Sequence, residues 1–177
     1  RVFIDRLAKK MPANVTVVAD VGQNQIWTCT EYKFRKEGRL LTSGGMGTMG
    51  YSVPAAIGAK MADNSRATVA ICGDGAFQMS FMELATAVQF GVDIKVVVMT
   101  NNRLGMVREL QTNGYHDRQT AVFLDGSPDF IKLAEAYGIP AMRVYDDDTM
   151  EKGVEMLAEH KGICLVEVVV DKDMPTL

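Results

Sequence analysis

The chain is poor in the residues that staple small proteins or hold metals unaided, with three cysteines and two histidines in 177 residues. Cys29, Cys72 and Cys164 are far apart and odd in number. No C-x-x-C pair occurs, which argues against a disulfide framework or a cysteine zinc site. They read as buried thiols in a reducing compartment, and a cytoplasmic protein is expected. His116 and His160 have no spaced partners, so each reads as structural. There is no excess of basic charge either. The net charge is -3, and the Lys and Arg residues are scattered, leaving no basic stripe for nucleic acid. No apolar run reaches membrane-spanning length; runs such as Ile94–Met99 are strand-sized. No signal peptide, repeat, low-complexity segment or linker is visible. The chain opens at Arg1 without a methionine, already inside a helix-like pattern (Val2, Phe3, Leu7). That start is expected of residues 1–177 as one domain of a longer chain.

What remains is globular, with 47% hydrophobic and 23% charged residues. A chain of this length buries roughly 70% of the surface it exposes when unfolded, so it needs no staples. Short β-branched runs predict strands at Val15–Ala19, Arg39–Thr42, Ala67–Cys72, Ile94–Thr100, Ala141–Val144 and Ile163–Val170. Between them, helical patterns predict helices at Asn24–Tyr32, Tyr51–Met61, Ser80–Phe90, Met106–Thr112, Pro128–Tyr137 and Thr149–His160. Gly91, Gly138 and Gly162 sit where helix C-terminal glycines belong. The fold class is therefore α/β: a doubly wound, mainly parallel six-stranded sheet with helices on both faces.

Such folds bind ligands beyond the C-terminal strand ends, and the polar, glycine-rich segments cluster there. Asp20-Val21-Gly22-Gln23 follows the first strand, Ser43–Gly50 the second, Gly73-Asp74-Gly75 the third and Asn101–Gly105 the fourth. In Gly73-Asp74-Gly75-Ala76 the glycines let the backbone approach a phosphate, whose oxygens the following N–H groups can meet. Asp74 beside a phosphate is repelled unless a divalent cation bridges them, and magnesium suits such an oxygen set. Asn101, 27 positions after Asp74, adds an amide oxygen, and a backbone carbonyl two residues on completes it.

Gly-Asp-Gly followed by an Asn pair resembles the signature of thiamine-diphosphate enzymes. The chain looks like the last domain of acetolactate synthase large subunits in Asp20–Gln23, Ser43–Tyr51, Pro54–Ala59, Leu104–Val107 and Pro128–Ala134. The resemblance implies that Asp74, Asn101 and the carbonyl of Arg103 hold Mg²⁺. It places Gly22, Gln23, Asn24, Gly75 and Ala76 at the diphosphate. Gly47 would offer its carbonyl to the 4′-amino group of the pyrimidine, and Met49 would wedge between the two rings. Gly105 and Met106 also belong to the cofactor site, and Met106 and Leu110 to a substrate channel. Three departures stand out: Thr100 where the first Asn is expected, Asn24 where His is usual, and Leu110 where the family carries tryptophan. Asn102 stays open as a substitute for Asn101.

The activity so implied is decarboxylation of pyruvate and condensation with a second 2-oxoacid, pyruvate or 2-oxobutyrate, in branched-chain amino acid biosynthesis. The resemblance further implies a homo-oligomer, dimer or tetramer, whose subunits share each site. FAD would lie on a middle domain, a regulatory small subunit can accompany the enzyme, and the activating glutamate would come from an N-terminal domain. No residue of this chain is therefore expected to be catalytic. Alternatives are another thiamine-diphosphate decarboxylase or carboligase, or a non-catalytic interaction module. Gly45–Gly50 is also literally G-x-G-x-x-G, so a nicotinamide-binding domain is a rival, although the acid lies 29 positions after Gly45 where about 20 is usual. Glu83 reads as a surface or interface residue. Asp146-Asp147-Asp148 reads as a helix N-terminus, where acids suit the dipole.

Overall fold

Each apolar run becomes one strand in the computed structural model, which describes all 177 residues. The strands are β1 (Thr16–Ala19), β2 (Arg39–Thr42), β3 (Thr68–Gly73), β4 (Lys95–Thr100), β5 (Ala141–Val144) and β6 (Cys164–Val169). They form one sheet in the order β2-β1-β3-β4-β6-β5, and every pairing is parallel. The sheet is thus wholly parallel, a stricter form of the expected one. Central β4 is buried along its whole length, whereas edge strands β2 and β5 are partly exposed. This is why the central runs are continuously apolar and the edges mix in arginine.

Eight helices surround the sheet: α1 (Val2–Lys10), α2 (Gln23–Glu31), α3 (Ser52–Ala62), α4 (Asp74–Phe77), α5 (Leu84–Gln89), α6 (Gly105–Gly114), α7 (Phe130–Ala136) and α8 (Asp147–Glu159). One face carries α1, α2 and α8, where Phe3, Leu7, Trp27 and Leu157 meet Val17, Ile71 and Val97. The other carries α3, α4, α5 and α7, where Val53, Phe77, Leu84 and Phe130 meet Val18, Ala70 and Val96. Each such large side chain contributes about 1.5–3 kcal/mol on burial. Phe77 and Phe130 also pack edge to face at 5.4 Å.

Boundaries follow the caps. Asp146 accepts from the Thr149 N–H in a capping box that opens α8, which accounts for the acidic run as expected. Asp129 accepts from Ile131 N and Lys132 N, so α7 begins at Phe130 rather than Pro128. Gly91 and Gly138 follow the last residues of α5 and α7, but α8 ends on extended His160, two residues before Gly162. The expected helix Ser80–Phe90 is a 3₁₀ turn at Phe81–Glu83 followed by α5. Glu83 accepts from the Thr86 hydroxyl there, a local structural bond. The cysteines are all free, yet Cys29 is exposed while Cys72 and Cys164 are buried. The expectation of three buried thiols is therefore corrected: Cys29 faces outward from α2.

The chain leaves β1 for β2 on one side and returns to β3 on the other. The connections that leave the paired C-terminal ends of β1 and β3 open there into a crevice, the switch point of a doubly wound sheet.

Candidate functional site

That crevice holds about 290 Å³. Its walls are Val21, Gly22, Gln23, Asn24 and Trp27 after β1, Gly73–Ala76 after β3, Asn101 and Arg103–Val107 after β4, and Gly47 and Met49 from the turn after β2. All the residues expected at the cofactor thus meet in one place, drawn from four strand ends. Leu110 does not: it lies on α6 outside this lining and is 61% exposed.

Asp74 is the centre of the arrangement. It opens α4, is 1% exposed, and accepts only backbone N–H groups. Gly75 N donates to Oδ1 at 2.8 Å, and Asn101 N and Asn102 N donate to Oδ2 at 3.1 and 2.6 Å. Burial pushes its carboxyl up to about 6, against the lowering pull of those N–H groups. A carboxylate that is desolvated but unpaired is one a cation would relieve. No group of three or more His, Cys, Asp or Glu side chains gathers here to form an all-protein metal cage. A single buried carboxylate of this kind would fit Mg²⁺, which takes one or two carboxylates from protein.

The floor suits a close ligand as well. A side chain on Gly75 would come within 2.6 Å of Leu104 Cδ2 and 3.4 Å of Met49 Cε. Gly22, with φ +146, caps α2 where a Cβ would approach Asn24 Oδ1 to 2.6 Å. Gln23 and Asn24, the first residues of α2, line the crevice, and N–H groups in a helix's first turn have no intrahelical acceptor.

Asn101 and Asn102 separate clearly. Asn101 is partly buried; its Nδ2 donates to Gln23 Oε1 at 3.1 Å and its Oδ1 accepts from Arg103 N at 3.0 Å. Asn102 is exposed in the left-handed region at φ +55, and only its backbone N–H reaches Asp74. The loop is clamped from outside by Leu104 N to Val122 O at 2.9 Å and Leu124 N to Asn102 O at 3.0 Å. The Arg103 guanidinium pairs with Asp125 at 3.0 Å and lies 4.6 Å over the Phe123 ring.

Two side chains are engaged otherwise than the sequence led us to expect. Asn24 Nδ2 donates to Asp20 O and Ile71 O at 2.9 and 3.1 Å, which leaves it no amide hydrogen for a phosphate. It braces α2 onto β3. Gln23 Nε2 donates to Met174 O and Thr176 Oγ1 at 2.9 and 3.1 Å, so its carboxamide links the C-terminal segment to Asn101, from which its Oε1 accepts.

Sequence reasoning missed the clasp this creates. Trp27, 2% exposed, donates its indole N–H to Thr176 O at 3.0 Å. Glu109 Oε1 accepts from Thr176 N at 2.8 Å, and its Oε2 meets the Thr176 hydroxyl. The signal for Trp27 was its place one turn after Gln23. Glu109 had no signal, because its partner is 67 residues away.

The G-x-G-x-x-G segment follows β2, an edge strand, rather than a strand of the switch point, which argues against a dinucleotide site.

Comparison with known proteins gives the family. The family model for the C-terminal TPP-binding domain of thiamine pyrophosphate enzymes matches residues 20–168. The chain is 42% identical to a mitochondrial acetolactate synthase catalytic subunit of Aspergillus candidus, over 91% of this chain and 23% of that protein. It is 42% identical to an acetolactate synthase large subunit of Lactococcus lactis, over 88% of this chain and 27% of that one. It is 35% identical to the large subunit of acetolactate synthase isozyme 2 of Escherichia coli, over 96% and 31%. The chain spans about a quarter of the length of the first two relatives.

Proposed function

Because this chain belongs to the thiamine pyrophosphate enzymes, through their C-terminal TPP-binding domain, we propose that it is the cofactor-anchoring domain of an acetolactate synthase, residues 1–177 forming one such domain within a longer chain. The observation that carries the proposal is Asp74: a buried carboxylate with no Lys or Arg partner, set by three backbone N–H groups over a glycine floor. In the proposed site Asp74, Asn101 Oδ1 and the Arg103 carbonyl hold Mg²⁺. The backbone N–H groups of Gly22, Gln23 and Ala76 would meet the diphosphate, and Gly75, whose N–H is held by Asp74, gives it room. Gly47 and Met49 shape the ring end, with Gly105 and Met106 along the opposite wall. The cofactor, when bound, supplies the carbon nucleophile and electron sink that let pyruvate lose carbon dioxide. The chain's own residues bind it, orient it and neutralise its charge. A partner copy would complete the site, FAD would lie on another domain, and a regulatory subunit belongs to the same proposal. No helix is long and apolar enough to cross a membrane.

The test uses the only tryptophan. Trp27 lines the crevice, so titrating the 177-residue chain with thiamine diphosphate and Mg²⁺ changes its emission and gives a calorimetric isotherm, whereas NAD does neither. An isotherm with NAD and silence with thiamine diphosphate would overturn the proposal.

The substrate class rests on Leu110. It sits one turn beyond Met106 on an exposed stretch of α6, available to whatever covers the crevice in the full-length enzyme. Leucine keeps that wall apolar without the flat indole of the family pattern, and one such pocket contact is worth about 1–3 kcal/mol of discrimination. The wild-type enzyme is therefore expected to have a weak preference for 2-oxobutyrate and low sulfonylurea sensitivity, and Leu110→Trp to raise both. Mixed pyruvate and 2-oxobutyrate competition assays read the product ratio. An unchanged ratio removes Leu110 from the channel.

A further inference from the structure

A second buried carboxylate stands at the same switch point. Asp20, the residue after β1, is fully buried, and the roles above leave it without a function. All the hydrogen bonds to its carboxylate come from backbone N–H groups: Val21 N and Gly50 N donate to Oδ1 at 2.9 and 3.0 Å, and Ser52 N donates to Oδ2 at 2.8 Å. Gly50 and Ser52 lie 30 and 32 residues further on. One carboxylate therefore ties the end of β1 to both the turn after β2 and the first residue of α3.

That tie is the main polar anchor of the turn's second half. Its first half closes on itself, with Gly47 N to Ser43 O and Thr48 N to Ser43 Oγ, both at 3.0 Å. Gly44 to Thr48 are exposed. Beyond them Gly50 is wedged at φ +83, where a Cβ would come within 2.9 Å of Met79 Cβ. The N-cap residue of α3, Tyr51, makes no side-chain cap bond, and the first turn of α3 has no acid. Asp20 supplies from another strand the acceptor and negative charge that a helix N-terminus favours.

We propose that Asp20 is a positioning residue: it holds the Gly47–Gly50 turn, and with it the Gly47 carbonyl and Met49, in the place the ring end of thiamine diphosphate requires. The role rests on the cofactor reading above. An asparagine there has one oxygen for two sets of donors, so its NH₂ faces the N–H of either Ser52 or Gly50. The turn then samples other positions, and affinity falls in proportion to the fraction of time it is in place.

The experiment is calorimetry on the full-length protein, wild type and Asp20→Asn, with two probes: thiamine diphosphate with Mg²⁺, and inorganic pyrophosphate with Mg²⁺. Pyrophosphate engages only the Asp74–Gly75 end. If the turn in Asp20→Asn is in place a tenth of the time, its Kd for thiamine diphosphate rises about tenfold, while that for pyrophosphate stays unchanged. Equal weakening of both probes, or of neither, overturns the positioning role. A wild-type protein that takes neither probe refutes the cofactor reading, and the role of Asp20 falls with it. Should the variant not fold, amide hydrogen exchange in the wild type decides. Gly50 and Ser52 must exchange far more slowly than Gly44 and Gly45, and equally fast exchange overturns the proposal.

Discussion

Asp74→Ala in the full-length enzyme should abolish metal-dependent binding of thiamine diphosphate, raising its Kd by more than about 100-fold, since even residues that only support a metal's ligands are worth 10–100-fold. Two losses combine. The Mg²⁺ that Asp74 would hold loses its one carboxylate, and the N–H groups of Gly75, Asn101 and Asn102 lose their shared acceptor. The second loss lets the loop after β4 drift from the end of β3, taking Asn101 and the Arg103 carbonyl with it. Asp74→Asn narrows the cause, because its one amide oxygen still serves either Gly75 N or the Asn101 and Asn102 N–H groups while the charge is gone. It should disturb the loop less than Asp74→Ala and still fail to bind. Undiminished affinity in Asp74→Ala would remove Asp74 from the site.

The same carboxyl gives the metal-free chain a pH signature. Its proton affinity is raised on folding, to about 6. The folded state is therefore favoured while Asp74 is protonated. That stabilisation is complete below the ordinary carboxyl range near pH ~4 and is lost as pH rises through about 6, an effect of roughly 3 kcal/mol at most. Chemical denaturation from pH 4 to 7 measures it, and Asp74→Asn should flatten the profile.

The parts legible in sequence are those with local causes. Strand runs such as Val96–Met99 are buried on both faces and so carry no polar residue to blur them. The Asp129 and Asp146 caps each serve N–H groups within three residues. Gly73–Ala76 was legible as a strand end that opens a helix, but not that α4 stops after one turn, which is held by burial of Ala76 and Phe77 in the core. Gln23 was recognisable as a site residue, but not its engagement with residues near the C-terminus. Asn24 was expected to present an amide to phosphate; which carbonyls would capture that amide depends on the β1–β3 pairing, and no spacing rule contains it. The expected edges of Met106–Thr112 fell inside α6 for a similar reason. Gly105 begins that helix because Leu104 N is already held by Val122 O, a contact from outside the segment.

The 177-residue chain alone should bind cofactor yet form no acetolactate from pyruvate. Activating the cofactor calls for a carboxylic acid aimed at the ring end, and Asp74 is the only acidic residue lining the crevice. Its oxygens are turned to the backbone of Gly75, Asn101 and Asn102, at the diphosphate end of the proposed site. Glu109 lies close by, but it is engaged by Thr176 and, at 3.5 Å, by Gln23 Nε2. Asp20 faces away, into the turn it braces. Every acid near the crevice thus has other partners, and proton transfer of this kind typically contributes 10²–10⁴-fold. Purified chain with pyruvate, thiamine diphosphate and Mg²⁺, assayed for acetolactate, should match a protein-free control, while the binding isotherm shows the crevice to be loaded. Product above that control would mean that a group within this chain can act as the acid. Glu109 would then be the first residue to replace, because a shift of the C-terminal segment would release it into the crevice.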